Sequence, residues 1–90
     1  MPYVWGKDGD RMIQSFTKDN IADAVYINFI DEPVHHTEEL DDNRLIDYSI
    51  MGRPVGIDLT AVSDGVKLDG LPEIEEVEKI LISLGIKVSK

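Results

Sequence analysis

The chain has 90 residues, which is the length of one ordinary domain. A domain of this size buries only roughly 60–65% of the surface that its unfolded chain exposes, so we expect it to gain stability by pairing. Cys is absent, which excludes a disulfide framework and a thiolate zinc site. Asp and Glu number 18 against 9 Lys and Arg, and the formal charge of −9 disfavours direct binding to nucleic acid.

The segment "MPYVWGKDGDR" lacks the basic and apolar regions of a signal peptide, and no apolar run reaches membrane-spanning length. We therefore expect a cytoplasmic protein that has no membrane partner. The acidic charge has two interpretations, a solvated surface that keeps the protein soluble or a surface that selects a basic partner.

The first predicted element is a hairpin near the N-terminus. In "YVWGKDGDRMIQSF", Asp8-Gly9 separates two short apolar runs, and Asp-Gly favours a two-residue hairpin turn because both residues accept positive φ. Trp5 is the single Trp and is either a core residue or an anchor for a partner.

An alternating run, "AVYINFI", starts at Ala24. Val25, Ile27 and Phe29 share one face of a predicted strand. Tyr26 and Asn28 share the other face. The strand ends at "DEP", since Pro lacks a backbone N–H and Asp favours turns.

Two further strands, "VHHTEEL" and "RLIDYSI", are predicted on either side of a turn-forming cluster at residues 41–43. The segment "RPVGIDLT" predicts another half-buried strand. Its apolar face carries Val55, Ile57 and Leu59.

The hydrophobic period changes near the C-terminus. In "LPEIEEVEKILISLG", apolar residues recur at steps of three and four, at Ile74, Val77, Leu81 and Leu84. Pro72 suits the first turn of a helix and Gly85 suits its end, so the segment predicts an amphipathic helix over residues 71–85. The "IKVSK" that follows either adds a short strand or ends irregularly.

Together these elements predict a single α+β domain over residues 1–90. It is an antiparallel β-meander of about five to six short strands packed by one C-terminal amphipathic helix. We expect the helix to cover the apolar face of the sheet.

The pair His35-His36 is the first place to look for a metal or acid/base site. Side chains alternate along a strand, so His36 and Glu38 are the best same-face pair. A third ligand could come from Asp47 or Asp58, but the spacing does not require it, and two ligands are too few. The alternative is a polar edge strand whose charges discourage edge-to-edge aggregation.

No other pattern assigns a site. Adjacent carboxylates do not by themselves converge on one cleft, the serines lack a nucleophile-elbow context, and "VSDGVKLDG" lacks the last Glu of a calcium loop. The sequence therefore assigns no catalytic residue, no cofactor and no metal ligand. Tyr26 and Tyr48 are expected on the less apolar faces of their strands, either at the rim of the core or in a partner surface.

Four segments in order resemble the prokaryotic family known as domain of unknown function 2283: "IADAVYINF", "TEEL", "LIDY" and "GRPVGIDLTAVS". The resemblance covers about residues 16–63. It implies a small single domain without assigned catalytic residues, and some members resemble the antitoxin-like partner of a small basic toxin-type protein. We interpret Asp23 of "IADA" as scaffold that ends a turn by accepting backbone N–H groups.

Three hypotheses about function follow, and the third is a purely structural protein whose homodimer is its whole role. The leading one is a non-enzymatic module that binds a protein partner, either a small basic protein or a second copy as a homodimer. The alternative is a small-molecule or metal-binding protein, or an enzyme, that uses His36, Glu38 and a third carboxylate. An unpaired sheet edge favours the first hypothesis, and three polar side chains converging on a pocket favour the second.

Overall fold

The computed structural model describes residues 13–90, so the predicted turn at Asp8-Gly9 and the side chain of Trp5 lie outside the described residues. Five strands form the main sheet: β1 (Ser15–Asp19), β2 (Ala24–Asn28), β3 (His36–Asp41), β4 (Arg44–Tyr48) and β5 (Pro54–Thr60). The chain continues through a 3₁₀ turn (Val62–Asp64), β6 (Val66–Lys67), α1 (Ile74–Ser83) and β7 (Val88–Ser89).

The main sheet is antiparallel and has the strand order β1-β2-β5-β4-β3. Strands β3, β4 and β5 are neighbours in both sequence and space, as in a meander. Strand β5 then pairs with β2 on its other side, which brings the β1–β2 hairpin into the same sheet. The predicted α+β class with an antiparallel sheet and one C-terminal helix is confirmed.

One face of the sheet forms the core. Ile27, Ile57 and Ile46 lie side by side in the cross-strand register of β2, β5 and β4, and all three are buried. Complete burial of an Ile side chain stabilises a fold by roughly 1.5–3 kcal/mol. The alternation read from the sequence therefore assigned the correct faces of β2 and β5.

Helix α1 packs into the same core through Val77 and Leu81, which are fully buried. It is shorter than the predicted range 71–85, because Glu73 has left-handed backbone angles and the first helical residue is Ile74. The predicted packing of the helix against the apolar face of the sheet is confirmed by the shared cluster of buried side chains.

The C-terminal segment adds a short strand, the first of the two alternatives for "IKVSK". Strand β7 pairs in parallel with β6, with Val88 opposite Val66. Backbone N–H groups of Val66 and Leu68 donate to the carbonyl oxygens of Lys87 and Ser89 at 2.9 and 2.7 Å. These bonds fasten the end of the chain beside the sheet. Among residues 13–90, no helix has the length and apolarity that crossing a bilayer requires.

Candidate interaction surface

Strand β3 lies at one edge of the main sheet. It pairs with β4 on one side, and no strand of residues 13–90 pairs with its other side. All six of its residues are exposed to solvent. An edge strand of this kind presents backbone N–H and carbonyl groups to which another strand can bind.

The exposed edge is acidic. Glu38, Glu39 and Asp41 belong to β3, and Asp42 follows in the turn. No residue within 13–90 forms an ion pair with Glu38 or Glu39, whereas Asp41 is bound by Arg44 at 2.9 Å. The middle of β3 therefore carries two carboxylates that no described cation neutralises.

Asp41 holds the turn between β3 and β4. Its carboxylate accepts the backbone N–H of Asn43 at 3.0 Å and Nε of Arg44 at 2.9 Å. These bonds, the one from Asn43 first, lower the pKa of Asp41, so this carboxylate contributes to stability at neutral pH and loses that contribution on acidification. The Arg44 guanidinium also donates to the carbonyl oxygens of Lys67 and Asp69, which ties the turn to β6.

His36 and Glu38 share a face of β3, as the sequence predicted, but the side chains of residues 13–90 do not complete a metal site around them. They pair across the ladder with Tyr48 and Ile46, while Asp47 pairs with Thr37 on the opposite face. Asp58 lies farther away, on β5, opposite Leu45. Within residues 13–90 no group of three or more His, Asp or Glu side chains is placed to hold a metal ion.

The two histidines are held by aromatic contacts. The ring of His36 stacks on Tyr48 with 5.2 Å between centroids and an interplanar angle of 17°. Nδ1 of His35 lies 3.3 Å from Nδ1 of His36. Tyr48 in turn packs against the core cluster, so the expectation that it lies on the less apolar face of its strand is wrong.

Tyr26 does lie on the polar face of the sheet, where it joins three strands. Its hydroxyl donates to Oδ2 of Asp47 at 2.9 Å, and the Thr37 hydroxyl donates to Oδ1 of Asp47 at 2.6 Å. The Tyr26 side chain reaches β4 by crossing β5 at Gly56, where a Cβ atom would lie 2.6 Å from Cζ of Tyr26. The network braces β3 against the rest of the sheet.

The electrostatics of this network favour a structural role. Burial, reinforced by the hydrogen bond and charge of Asp47, raises the pKa of Tyr26 to about 12, so its hydroxyl remains a hydrogen-bond donor at neutral pH. Burial, followed by the charge of Asp47, also raises the pKa of Asp58. The folded state therefore binds the Asp58 proton more tightly than the unfolded chain does, and stability falls as pH rises through this pKa.

Asp23 is scaffold, although it acts over a longer range than the sequence indicated. Its φ is +54°, and its carboxylate accepts the backbone N–H of Ser63 at 3.1 Å and the Ser63 hydroxyl at 2.7 Å. The local turn is closed instead by Asp19, which accepts the backbone N–H groups of Ile21 and Ala22. Asp23 thus fixes the β1–β2 turn to the 3₁₀ turn after β5.

The family model described as Protein of unknown function (DUF2283) matches residues 17–63, a little over half of the chain. The chain belongs to this family. In this DUF2283 protein the matched segment runs from within β1 to the 3₁₀ turn and contains the acidic edge. No curated protein and no solved structure matches the chain.

The sequence predicted the polar character of β3 but not the side chains that brace it. The Tyr26 hydroxyl meets a carboxylate 21 positions away, and Arg44 meets carbonyl oxygens 23 and 25 positions away. Gly56 was the one sequence signal for the Tyr26 contact, because a glycine inside a strand often marks a position where another group lies close to the backbone.

Proposed function

We propose that this DUF2283 protein is a non-enzymatic protein-binding module that adds a basic, strand-forming segment of a partner to the outer edge of β3. The observation that carries the proposal is the exposed edge itself, with six exposed residues and two carboxylates that no described cation pairs with. Strand addition gives affinity through backbone hydrogen bonds, and side-chain charge gives selectivity.

The charge of β3 favours a basic partner over a second copy at this edge. An antiparallel pairing of β3 with itself would bring Glu38 and Glu39 of one protomer close to the same residues of the other. Like charges on directly opposite strand positions are destabilising, whereas Lys or Arg on a partner strand would form opposite-charge pairs. The acidic side chains thus act against self-pairing at β3 and for a cationic segment.

The edge is held in position before any partner arrives. Thr37 is bound to Asp47, the ring of His36 is stacked on Tyr48, and Asp41 is bound to Arg44. A preformed edge loses less conformational entropy on binding than a mobile one, which supports the proposal.

Binding of two synthetic peptides tests the proposal. One alternates Lys with Val, the other alternates Glu with Val, and both are titrated by calorimetry at low salt. We expect the lysine peptide to bind at least about tenfold more tightly than the glutamate peptide. The charge-reversed variant Glu38→Lys/Glu39→Lys should invert that preference.

A matched variant distinguishes the effect of the β3 carboxylates from the effect of net charge. Asp64→Lys/Glu75→Lys changes the net charge by the same amount at two exposed residues that lie outside the main sheet. It should keep the preference for the lysine peptide. The proposal would be overturned if both double variants lost the preference for the lysine peptide equally, or if the natural protein failed to bind that peptide.

A further inference from the structure

The turn between β4 and β5 carries an apolar projection. Ile50 and Met51 are 75% and 76% exposed, and Val34, from the connection between β2 and β3, is 50% exposed. Val34 and Ile50 also line an open cavity of about 280 Å³, together with Glu32, Pro33, His35 and Ser49. The chain thus places an apolar projection directly next to an apolar cavity.

The turn that presents the projection is internally bonded. Ser49 is buried, and its backbone N–H donates to the Arg53 carbonyl at 2.8 Å. The Gly52 N–H donates to the Ser49 carbonyl at 2.9 Å, and the Ser49 hydroxyl oxygen accepts the backbone N–H of Arg53 at 3.2 Å. These bonds fix the backbone of residues 49–53, so Ile50 and Met51 are displayed by a defined turn.

The segment that carries the projection differs in charge from the chain as a whole. Residues 48–57 contain no Asp or Glu and one cation, Arg53, in a chain with 18 acidic residues. Arg53 binds the carboxylate of Glu32 at 3.0 Å on the rim of the cavity. Two copies of this acidic chain can approach here without bringing unpaired carboxylates of this turn together.

We propose that this face is the interface between two copies of the chain, with Met51 of each protomer occupying the cavity of the other. A two-fold axis requires a self-complementary surface, and a projection adjacent to a cavity of the same apolar character provides one. The unbranched Met side chain adapts to an irregular cavity. This dimer uses residues outside the acidic edge and stands independently of the peptide-binding proposal.

Sedimentation equilibrium over a range of protein concentrations tests the dimer. The natural protein should sediment as a dimer, and Met51→Asp should weaken association at least about tenfold because it buries a charge at the interface. Ile21→Asp is the matched control, since Ile21 is 99% exposed in the β1–β2 turn. It should associate like the natural protein.

Isotope-filtered NMR on a mixture of labelled and unlabelled protein supplies a second test. The Met51 methyl group should show contacts with Val34 of the other copy. The proposal is overturned if the natural protein stays monomeric, since a different protein would then be the partner of this face. A dimer that Met51→Asp does not weaken, or that lacks these contacts, also overturns it.

Discussion

Tyr26 and Gly56 form a matched pair on the polar face of the sheet. The tyrosine side chain passes over the glycine to place its hydroxyl 2.9 Å from Asp47. A Cβ atom at residue 56 would lie 2.6 Å from Cζ of Tyr26 and 2.8 Å from the carbonyl oxygen of Ile27. Glycine is needed here for its missing side chain, since the φ angle of Gly56 lies outside the left-handed region.

Gly56→Ala is expected to lower the free energy of unfolding by about 1–3 kcal/mol, the usual range for overpacking. Urea unfolding followed by circular dichroism measures this loss. In a Tyr26→Ala background the same substitution should cost less, because the tyrosine atoms nearest to the added methyl group are then absent. Equal losses in the two backgrounds would show that the ring does not rest on Gly56.

For single residues, the sequence predicted only which face of its strand a side chain occupies. Alternation placed Tyr26 on the polar face, but its partner Asp47 depends on which strands are neighbours. Tyr48 was assigned to the wrong face, although it follows the buried Ile46 by two residues and so shares the apolar side. Asp23 was recognised as scaffold, but its partner Ser63 is 40 residues away.

At the level of elements, the end of α1 is specified by a short motif. Gly85 has φ +79° and donates its N–H to the Ile82 carbonyl at 2.9 Å. The Ile86 N–H donates to the Leu81 carbonyl at 2.9 Å, and both of these side chains are buried in the core cluster. This pair of bonds, with an apolar contact across it, is the Schellman arrangement, and it turns the chain toward β7.

Gly85→Ala is expected to destabilise the protein by about 1 kcal/mol, because a side chain disfavours the left-handed conformation. Thermal unfolding should show a drop of roughly 4–8 °C for a domain of this length. Gly85→Asn should lose less, since Asn tolerates this conformation better than Ala does. A more stable Ala variant would indicate that α1 continues through residue 85.

Elements with a long, regular pattern were predictable, whereas the short strand β6 was not predicted and β7 was only one of two alternatives. The strands β2 and β5 and the helix follow from clear periods of two and three to four. The start of the helix was misplaced because Pro72 suits a first turn, whereas Glu73 takes a left-handed conformation before Ile74. Strands β6 and β7 have two residues each, which is too short for a period to appear.

For the whole molecule, strand order decides which surfaces are available. Strand β5 lies between β2 and β4, and this leaves β3 at one edge of the sheet. A period of two identifies the face of each strand but not its neighbours, so the pairing of β2 with β5 could not be predicted from the sequence. One of the two sequence interpretations of "VHHTEEL", a polar edge strand, agrees with the position of β3.

The two proposed surfaces differ in chemistry. The edge of β3 presents Glu38 and Glu39 with no cation of residues 13–90 paired to them. The β4–β5 turn presents Ile50 and Met51 in a stretch without carboxylates. Under the two proposals, the acidic edge would select a cationic strand, and self-association would use the apolar turn, which carries no carboxylate.

The most direct test of the central claim maps where a basic strand binds. Amide resonances of the natural protein are followed by two-dimensional NMR during titration with the alternating Lys and Val peptide. The largest shifts are predicted at residues 36–41 of β3, together with slower hydrogen exchange of the amides that face away from β4. The opposite edge strand, β1, serves as an internal control and should change little. Shifts concentrated on β1 or α1, or spread evenly over the acidic surface, would contradict the claim that β3 is the binding edge.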